Sequence, residues 1–355
     1  MNKFKPIKWF KMFYSLSSTL LSNRMREIVG RRNKVRWLTW EATDACNSRC
    51  QLCSIWQTKQ SPDLLSSEEI KKAFSDPLFK DLEVLLITGG EPVLRDDLFE
   101  LISFIHDKYP KVRFTLSTNG LLPDKVIKVV EASLKKGIGI DVGISLDGIG
   151  EHHDLMRGVK GNFEKVDYLV NQLVSLKKEF CDLGLVLGQT LHPLTLSYVD
   201  EVKTYAEKHG ITYLAQIYDE GPYYDNIGKS NIVSEEIAKM TEIVKKFEPS
   251  FHNEILLKIL KDKIVEFDCF TLRSFFILRC NGDVMPCLRL CDIKIGNVRE
   301  SSPSEIWNSE VAREARKTVK ACKGCANTWA TDWSMESNFI PFSKMLFSAF
   351  VKKKF

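Results

Sequence analysis

No stretch of the 355 residues approaches the ~18 consecutive apolar residues that a membrane-spanning helix requires. The basic start is followed by an apolar stretch, Met12–Leu21, but Ser15, Ser17 and Ser18 interrupt it and no small-residue cleavage site follows. Export is therefore not expected. Internal repeats and low-complexity segments are missing too, which excludes solenoids and arrays. Acidic residues are scarce at both ends. Residues 1–36 hold ten Lys/Arg and one Glu, and residues 339–355 hold four Lys and no acid. Because the whole chain carries only +5, residues 37–338 carry −8. An acidic body with basic, aromatic-rich ends does not read as a nucleic-acid binder.

What remains is globular: 44% of residues are hydrophobic and 27% charged, enough to bury a core and a second, smaller module. Ten cysteines stand out. A chain of this length does not need disulfide staples, and the cysteines are clustered. Cys46, Cys50 and Cys53 lie within eight residues, six more fall between Cys269 and Cys325, and Cys181 stands apart, read most simply as a core thiol. Clusters of this kind point to metal ligation in a reducing compartment.

Six apolar runs bounded by turn residues predict strands at Trp37–Thr43, Leu82–Thr88, Val112–Ser117, Ile140–Ser145, Leu183–Gly188 and Ile211–Tyr218. Helical periodicity falls between them at Ser67–Phe74, Asp97–Lys108, Asp124–Lys136, Phe163–Lys178 and Ser197–His209, with Ser234–Phe247 as a sixth. Alternating strands and helices imply parallel βα units. Six of them fit an α/β fold, a partial (β/α)6 TIM-like barrel, with an open doubly wound sheet as the alternative. The rhythm stops near Cys269, where a small C-terminal cysteine-rich module begins.

Cys46-Asn-Ser-Arg-Cys50-Gln-Leu-Cys53 follows the first strand directly. A closed zinc site wants four ligands. A 4Fe–4S cube held by three cysteines keeps one iron open for a chelating small molecule. Three further motifs sit at C-terminal strand ends, where βα-barrel sites are built: Gly89-Gly90-Glu91-Pro92, Ser117-Thr118-Asn119-Gly120 and Ser145-Leu146-Asp147-Gly148. Arg157-Gly158 and Gln189-Thr190 follow them. With these motifs in this order over residues 37–220, the chain resembles the radical S-adenosylmethionine (SAM) superfamily. Leu52 departs from the aromatic usual before the third cysteine.

The resemblance implies that Cys46, Cys50 and Cys53 hold a SAM-binding 4Fe–4S cluster. It further implies that Gly89, Gly90 and Glu91 hold the methionyl amino group, with Ser117, Asn119, Ser145, Asp147, Arg157 and Gln189 completing the cofactor site. Reductive cleavage of SAM to a 5′-deoxyadenosyl radical would follow, with hydrogen abstraction from substrate. Cys269, Cys287, Cys322 and Cys325 resemble the ligands of an auxiliary 4Fe–4S cluster in a SPASM/Twitch extension. No cysteine follows Cys325, which favours the shorter Twitch form with one such cluster. Cys280 and Cys291 are read as packed thiols or substitute ligands, and Trp329 and Trp333 as packing around the auxiliary site. An auxiliary cluster can accept an electron, so the implied reaction is oxidation of a small or lipid-linked substrate, with peptide modification as the alternative. Asp219 is the expected proton acceptor. A flavodoxin- or ferredoxin-type protein is the expected electron donor.

Expected boundaries are 1–36 for a basic amphipathic segment, 37–250 for the barrel, 251–338 for the auxiliary module and 339–355 for a basic amphipathic tail. Aromatic and basic residues interleave in both ends, which suits either docking on the barrel or peripheral contact with an anionic membrane. Residues 1–36 are short for a peptide-recognition domain. The expected location is cytoplasmic, at most peripheral on the inner membrane face. A zinc-binding scaffold without catalysis is the rival reading.

Overall fold

The computed structural model describes residues 34–58, 61, 63–229, 232–267, 269–322, 325, 327–328, 331 and 334. The two basic ends, Trp329 and Trp333 lie outside the described residues. Six parallel strands run β1 Trp37–Thr43, β2 Val84–Gly89, β3 Arg113–Thr118, β4 Ile140–Ser145, β5 Leu183–Leu191 and β6 Thr212–Ile217. They pair in chain order, and β6 lies at the sheet edge, so the barrel is partial.

Strand alternation decides the two faces. In β3, Phe114, Leu116 and Thr118 are buried beneath helices, whereas Arg113, Thr115 and Ser117 are half-buried on the concave side. The helices are α1 Ser67–Phe74, α2 Leu98–Lys108, α3 Pro123–Lys135, α4 Glu151–Arg157, α5 Asn162–Glu179, α6 Val199–Lys208, α7 Ser234–Lys245 and α8 Phe251–Asp262. α1 opens with a capping box between Ser66 and Glu69, as its sequence requires. It carries Phe74 onto Trp40 of β1, with ring centroids 6.0 Å apart. One apolar core runs under β1 to β5.

Two helices between β4 and the cysteine-rich region were not among those expected. α4 has only seven residues, between Gly150 and Gly158. α8 repeats apolar residues at Ile255, Leu256, Ile259 and Leu260. Although the expected boundary assigns it to the auxiliary module, its Leu256 and Leu260 pack with Leu191, Ala215 and Met240 of the barrel.

Past α8, β7 Phe275–Leu278 pairs parallel with β1 and so extends the barrel sheet on the side away from β2. It turns at Asn281-Gly282 into antiparallel β8 Asp283–Met285, then β9 Gly296–Asn297, α9 Pro303–Asn308 and α10 Glu310–Ala321. The cysteine-rich region is thus grafted onto the sheet edge by backbone hydrogen bonds. A buried carboxylate reinforces the graft. Glu41 of β1 is 1% exposed and accepts from Arg279 Nε at 3.0 Å and Nη2 at 3.3 Å, from the Tyr223 hydroxyl at 3.3 Å and from the Cys280 thiol at 3.2 Å. No helix of the described residues is long and apolar enough to cross a membrane.

Removing one partner of a buried ion pair strands the other charge. Glu41→Ala is expected to lower stability by about 3 kcal/mol, the low end of the ~3–5 kcal/mol range because Arg279 reaches water. Urea unfolding with an unchanged m-value measures it.

Candidate active site at the barrel mouth

The cysteine loop leaves β1 at Asp44, and what holds it is backbone. Gly90 N–H donates to Thr43 O at 2.8 Å and Glu91 N–H donates to Ala45 O at 2.8 Å. This closeness explains the paired glycines. A Cβ at Gly89 would lie 2.0 Å from Thr43 O, and one at Gly90 would lie 2.0 Å from Ala45 O. The glycines therefore admit the root of the cysteine loop. On its other side, the end of α4 supplies carbonyls: Arg157 O accepts from Arg49 N at 2.9 Å and from the Ser48 hydroxyl at 3.0 Å, and Met156 O accepts from Gln51 N at 2.9 Å.

Glu91 is fully buried, and its two oxygens accept from Thr118 Oγ1 at 2.9 Å and Asn119 N at 2.7 Å. Burial pushes its pKa up to about 7, against these hydrogen bonds. In the structure the carboxylate is a strut from the β2 end to the β3 end, where the sequence suggested a group facing a ligand's ammonium. Asn119 reaches the loop itself: its Nδ2 donates to Asn47 Oδ1 at 2.8 Å and approaches Cys46 Sγ at 3.8 Å.

Polar groups converge on the thiols. Ser48 Oγ lies 3.1 Å from Cys50 Sγ, and Arg157 Nη1 lies 3.6 Å from the same sulfur. Arg157 also pairs with Asp147 at 2.8 Å, and Asp147 accepts from Thr190 N at 3.1 Å. Among the described residues, the buried Arg157 Nε has no hydrogen-bond partner. Burial raises the Cys46 thiol pKa and pushes Cys53 up to about 11. Half-buried thiols facing a cation and N–H donors fit an anionic cluster, because bound metal cations supply the charge that favours the thiolates.

Strand alternation separates the remaining expected cofactor residues. Ser117 lines the concave cavity. Ser145 ends β4 beside Gly188 and is not in the wall of either cavity described below. Gln189 is 1% exposed and turns away, bonded to Thr195 O at 3.3 Å and the Tyr213 hydroxyl at 2.8 Å. Its neighbour Thr190 faces the cavity instead.

In the C-terminal module, Cys287 and Cys325 line one cavity, and as placed no three ligating side chains among the described residues are close enough together to hold a metal ion. Cys269 raises the pKa values of Cys287, Cys322 and Cys325, although burial is the larger cause in each. Burial pushes Cys287 up to about 12 and Cys325 up to about 11. Asn327 N–H donates to Cys325 Sγ at 3.3 Å, and Ser334 Oγ approaches Cys269 Sγ at 3.9 Å. This donor set too fits a cluster. Cys280 is buried against Glu41, and Cys291 is half-buried beside Asp292 and Arg279. Cys181 is exposed, which corrects its reading as a core thiol.

Two cavities lie between the cysteine groups. One, of about 200 Å³, touches Cys50, Cys53, Asp147, Arg157, Thr190 and Asp219. The other, of about 130 Å³, runs along Thr39, Leu86, Thr88 and Ser117 to Cys287 and Cys325. Tyr224 and Asn327 belong to both walls. Asp219 follows β6, pairs with Arg289 and accepts from Asn327 Nδ2 at 3.2 Å. Its pKa is raised by burial, with Arg289 opposing.

A model of the radical SAM superfamily matches residues 40–195, and a model of the iron–sulfur cluster-binding SPASM domain matches residues 269–326. The chain carries a radical SAM domain and a SPASM domain. Its cofactors are a SAM-binding 4Fe–4S cluster, SAM and auxiliary iron–sulfur centre(s) of the SPASM domain. The AdoMet-dependent heme synthase of Methanosarcina barkeri is 26% identical over 333 residues, 84% of this chain and 93% of that protein. The Fe-coproporphyrin III synthase of the same organism is 37% identical over 43% of this chain. The mycofactocin maturase MftC of Mycolicibacterium smegmatis is 33% identical over 49% of it. These last two matches span only 37% and 42% of the relatives' own lengths. The solved structure of anSMEcpe with bound AdoMet and Cp18Cys peptide shares the fold, with a TM-score of 0.62 at 19% identity, covering 89% of this chain and 99% of that one.

Gly90→Ala is expected to displace the loop root while the barrel persists. After anaerobic reconstitution, iron should fall by about four atoms per chain, one cluster's worth, with far-UV circular dichroism unchanged.

Proposed function

We propose that this enzyme cleaves SAM reductively at the Cys46–Cys50–Cys53 site and oxidises a small-molecule substrate held between that site and the auxiliary one. The observation that carries this reading is the placement of Asp219, which lines a cavity with Cys50 and Cys53 and bonds to Asn327, two residues from Cys325. When bound, the reduced first cluster supplies one electron to SAM, giving methionine and the 5′-deoxyadenosyl radical that removes a substrate hydrogen atom.

The chain's own groups have the following parts. Cys46, Cys50 and Cys53 hold the first cluster, and Ser48, Asn119 and Arg157 present hydrogen-bond donors or positive charge to the sulfurs. Gly89, Ser117, Asp147 and Thr190 border the space for SAM and substrate. Cys269, Cys287, Cys322 and Cys325 would hold a single auxiliary cluster of the Twitch type, which would supply an acceptor for the electron lost by the substrate. Asp219 takes the proton. A carboxylate with a raised pKa is a better acceptor than an ordinary one, and Arg289 and Asn327 fix its direction. An external one-electron donor of the flavodoxin or ferredoxin type completes the balance.

A small substrate is favoured because the heme synthase match runs through both modules, whereas the maturase match covers half of this chain. Peptide modification is the second reading, supported by the higher identity of that shorter match. A lipid-linked substrate is the form of the first reading that peripheral membrane contact of the basic ends would favour.

Cys50→Ala is expected to abolish 5′-deoxyadenosine formation, measured by chromatography under dithionite; undiminished formation removes the assignment. Asp219→Asn is expected to keep SAM cleavage and lose about a hundredfold in oxidised product, the low side of general-base contributions of ~10²–10⁴-fold. Metal analysis tests the auxiliary site: about 8 Fe per chain means two clusters, and about 4 Fe with one Zn means a zinc module.

A further inference from the structure

The loop after β6 makes a connection that neither cysteine motif announces. Asn226 is 2% exposed, and its Nδ2 donates twice: to Leu52 O at 3.3 Å, in the peptide unit that leads into Cys53, and to Asp219 O at 3.2 Å. Its Oδ1 accepts from Gly221 N at 2.9 Å, so the amide orientation is fixed. From Asp219 the path continues through the side chain. Oδ2 accepts from Asn327 Nδ2, and Asn327 N–H bonds Cys325 Sγ. Arg289, two residues after Cys287, meets the other carboxylate oxygen. Both arms of the auxiliary cysteine set therefore end on one aspartate, and one buried amide ties that aspartate to the SAM-site loop.

We propose that Asn226 is a positioning residue that couples the two cysteine sites, so that an intact auxiliary site tightens SAM binding at the first. This rests on the reading that the first site binds SAM and that both sites hold clusters. Cysteines fixed by the auxiliary cluster hold Asn327 and Arg289, which hold Asp219. With Asp219 held, Asn226 keeps its bond to Leu52 O, and the segment carrying Cys50 and Cys53 stays in place. Without the auxiliary cluster the chain slackens from the far end. Coupling of this kind is a free energy between sites, and a double-mutant cycle measures it.

The experiment compares anaerobically reconstituted wild type, Asn226→Ala, Cys322→Ala/Cys325→Ala and the combined variant, with SAM Kd by calorimetry and first-cluster occupancy by iron content. With Asn226 present, losing the auxiliary thiols should weaken SAM binding by about fivefold or more, the lower bound of ordinary coupling. In the Asn226→Ala background the same loss should change Kd by less than about twofold. Equal factors in both backgrounds overturn the coupling, as does an unchanged Kd when Asn226 is intact. Asn226→Asp keeps the size and the acceptor for Gly221 but loses both N–H donors; wild-type coupling in that variant also overturns the proposal. Asn327→Ala/Arg289→Ala cuts both arms at Asp219 and should match Asn226→Ala, so the outcome does not hang on one variant's folding. A wild type that binds iron but no SAM refutes the proposed function itself, which is a different result from equal factors.

Discussion

Three thiols can share one cluster only if the backbone carrying them is held still. Here that backbone hangs from two hydrogen bonds, Gly90 N–H to Thr43 O and Glu91 N–H to Ala45 O. They form because the strand end opposite carries no Cβ where the chains meet. The rest of the mouth is arranged around this contact. Glu91 braces it against β3 from within the protein, and the carbonyl end of α4 closes the loop from the outer side. Backbone groups and buried struts define the loop before any cofactor chemistry enters.

The auxiliary module depends on the same strand. β1 pairs with β2 on one side and β7 on the other, so the strand that delivers the first cysteine loop also anchors the second cysteine group. Glu41 adds a buried charge contact between them. A cluster carried on a flexible appendage would sit at a variable distance from the barrel lumen. A cluster carried at the edge of the shared sheet does not, and the narrow pair of cavities walled by Tyr224 and Asn327 follows from that.

Electrostatics inside the mouth are those of a dry site. Arg157 is held between the Asp147 carboxylate and the Cys50 sulfur, and burial raises the pKa values of Glu91, Asp219 and several thiols. A low effective dielectric strengthens each contact and makes an unpaired charge expensive.

The sequence alone determined the six βα units, the cysteine loop and the strand-end motifs, because hydrophobic periodicity and turn chemistry are local and each motif lies beside its own strand. β1 and β4 fall at the expected residues, and the other four strands within three. The tertiary structure decided what each polar residue faces. Glu91 looked like a ligand group and is a strut; Gln189 turns outward and Thr190 inward because neighbours on a strand point to opposite faces. β7 in the barrel sheet, the Glu41–Arg279 pair and the path through Asn226 and Asn327 join residues far apart in the chain. No local pattern encodes such meetings, which exist only once the sheet has brought its two ends together.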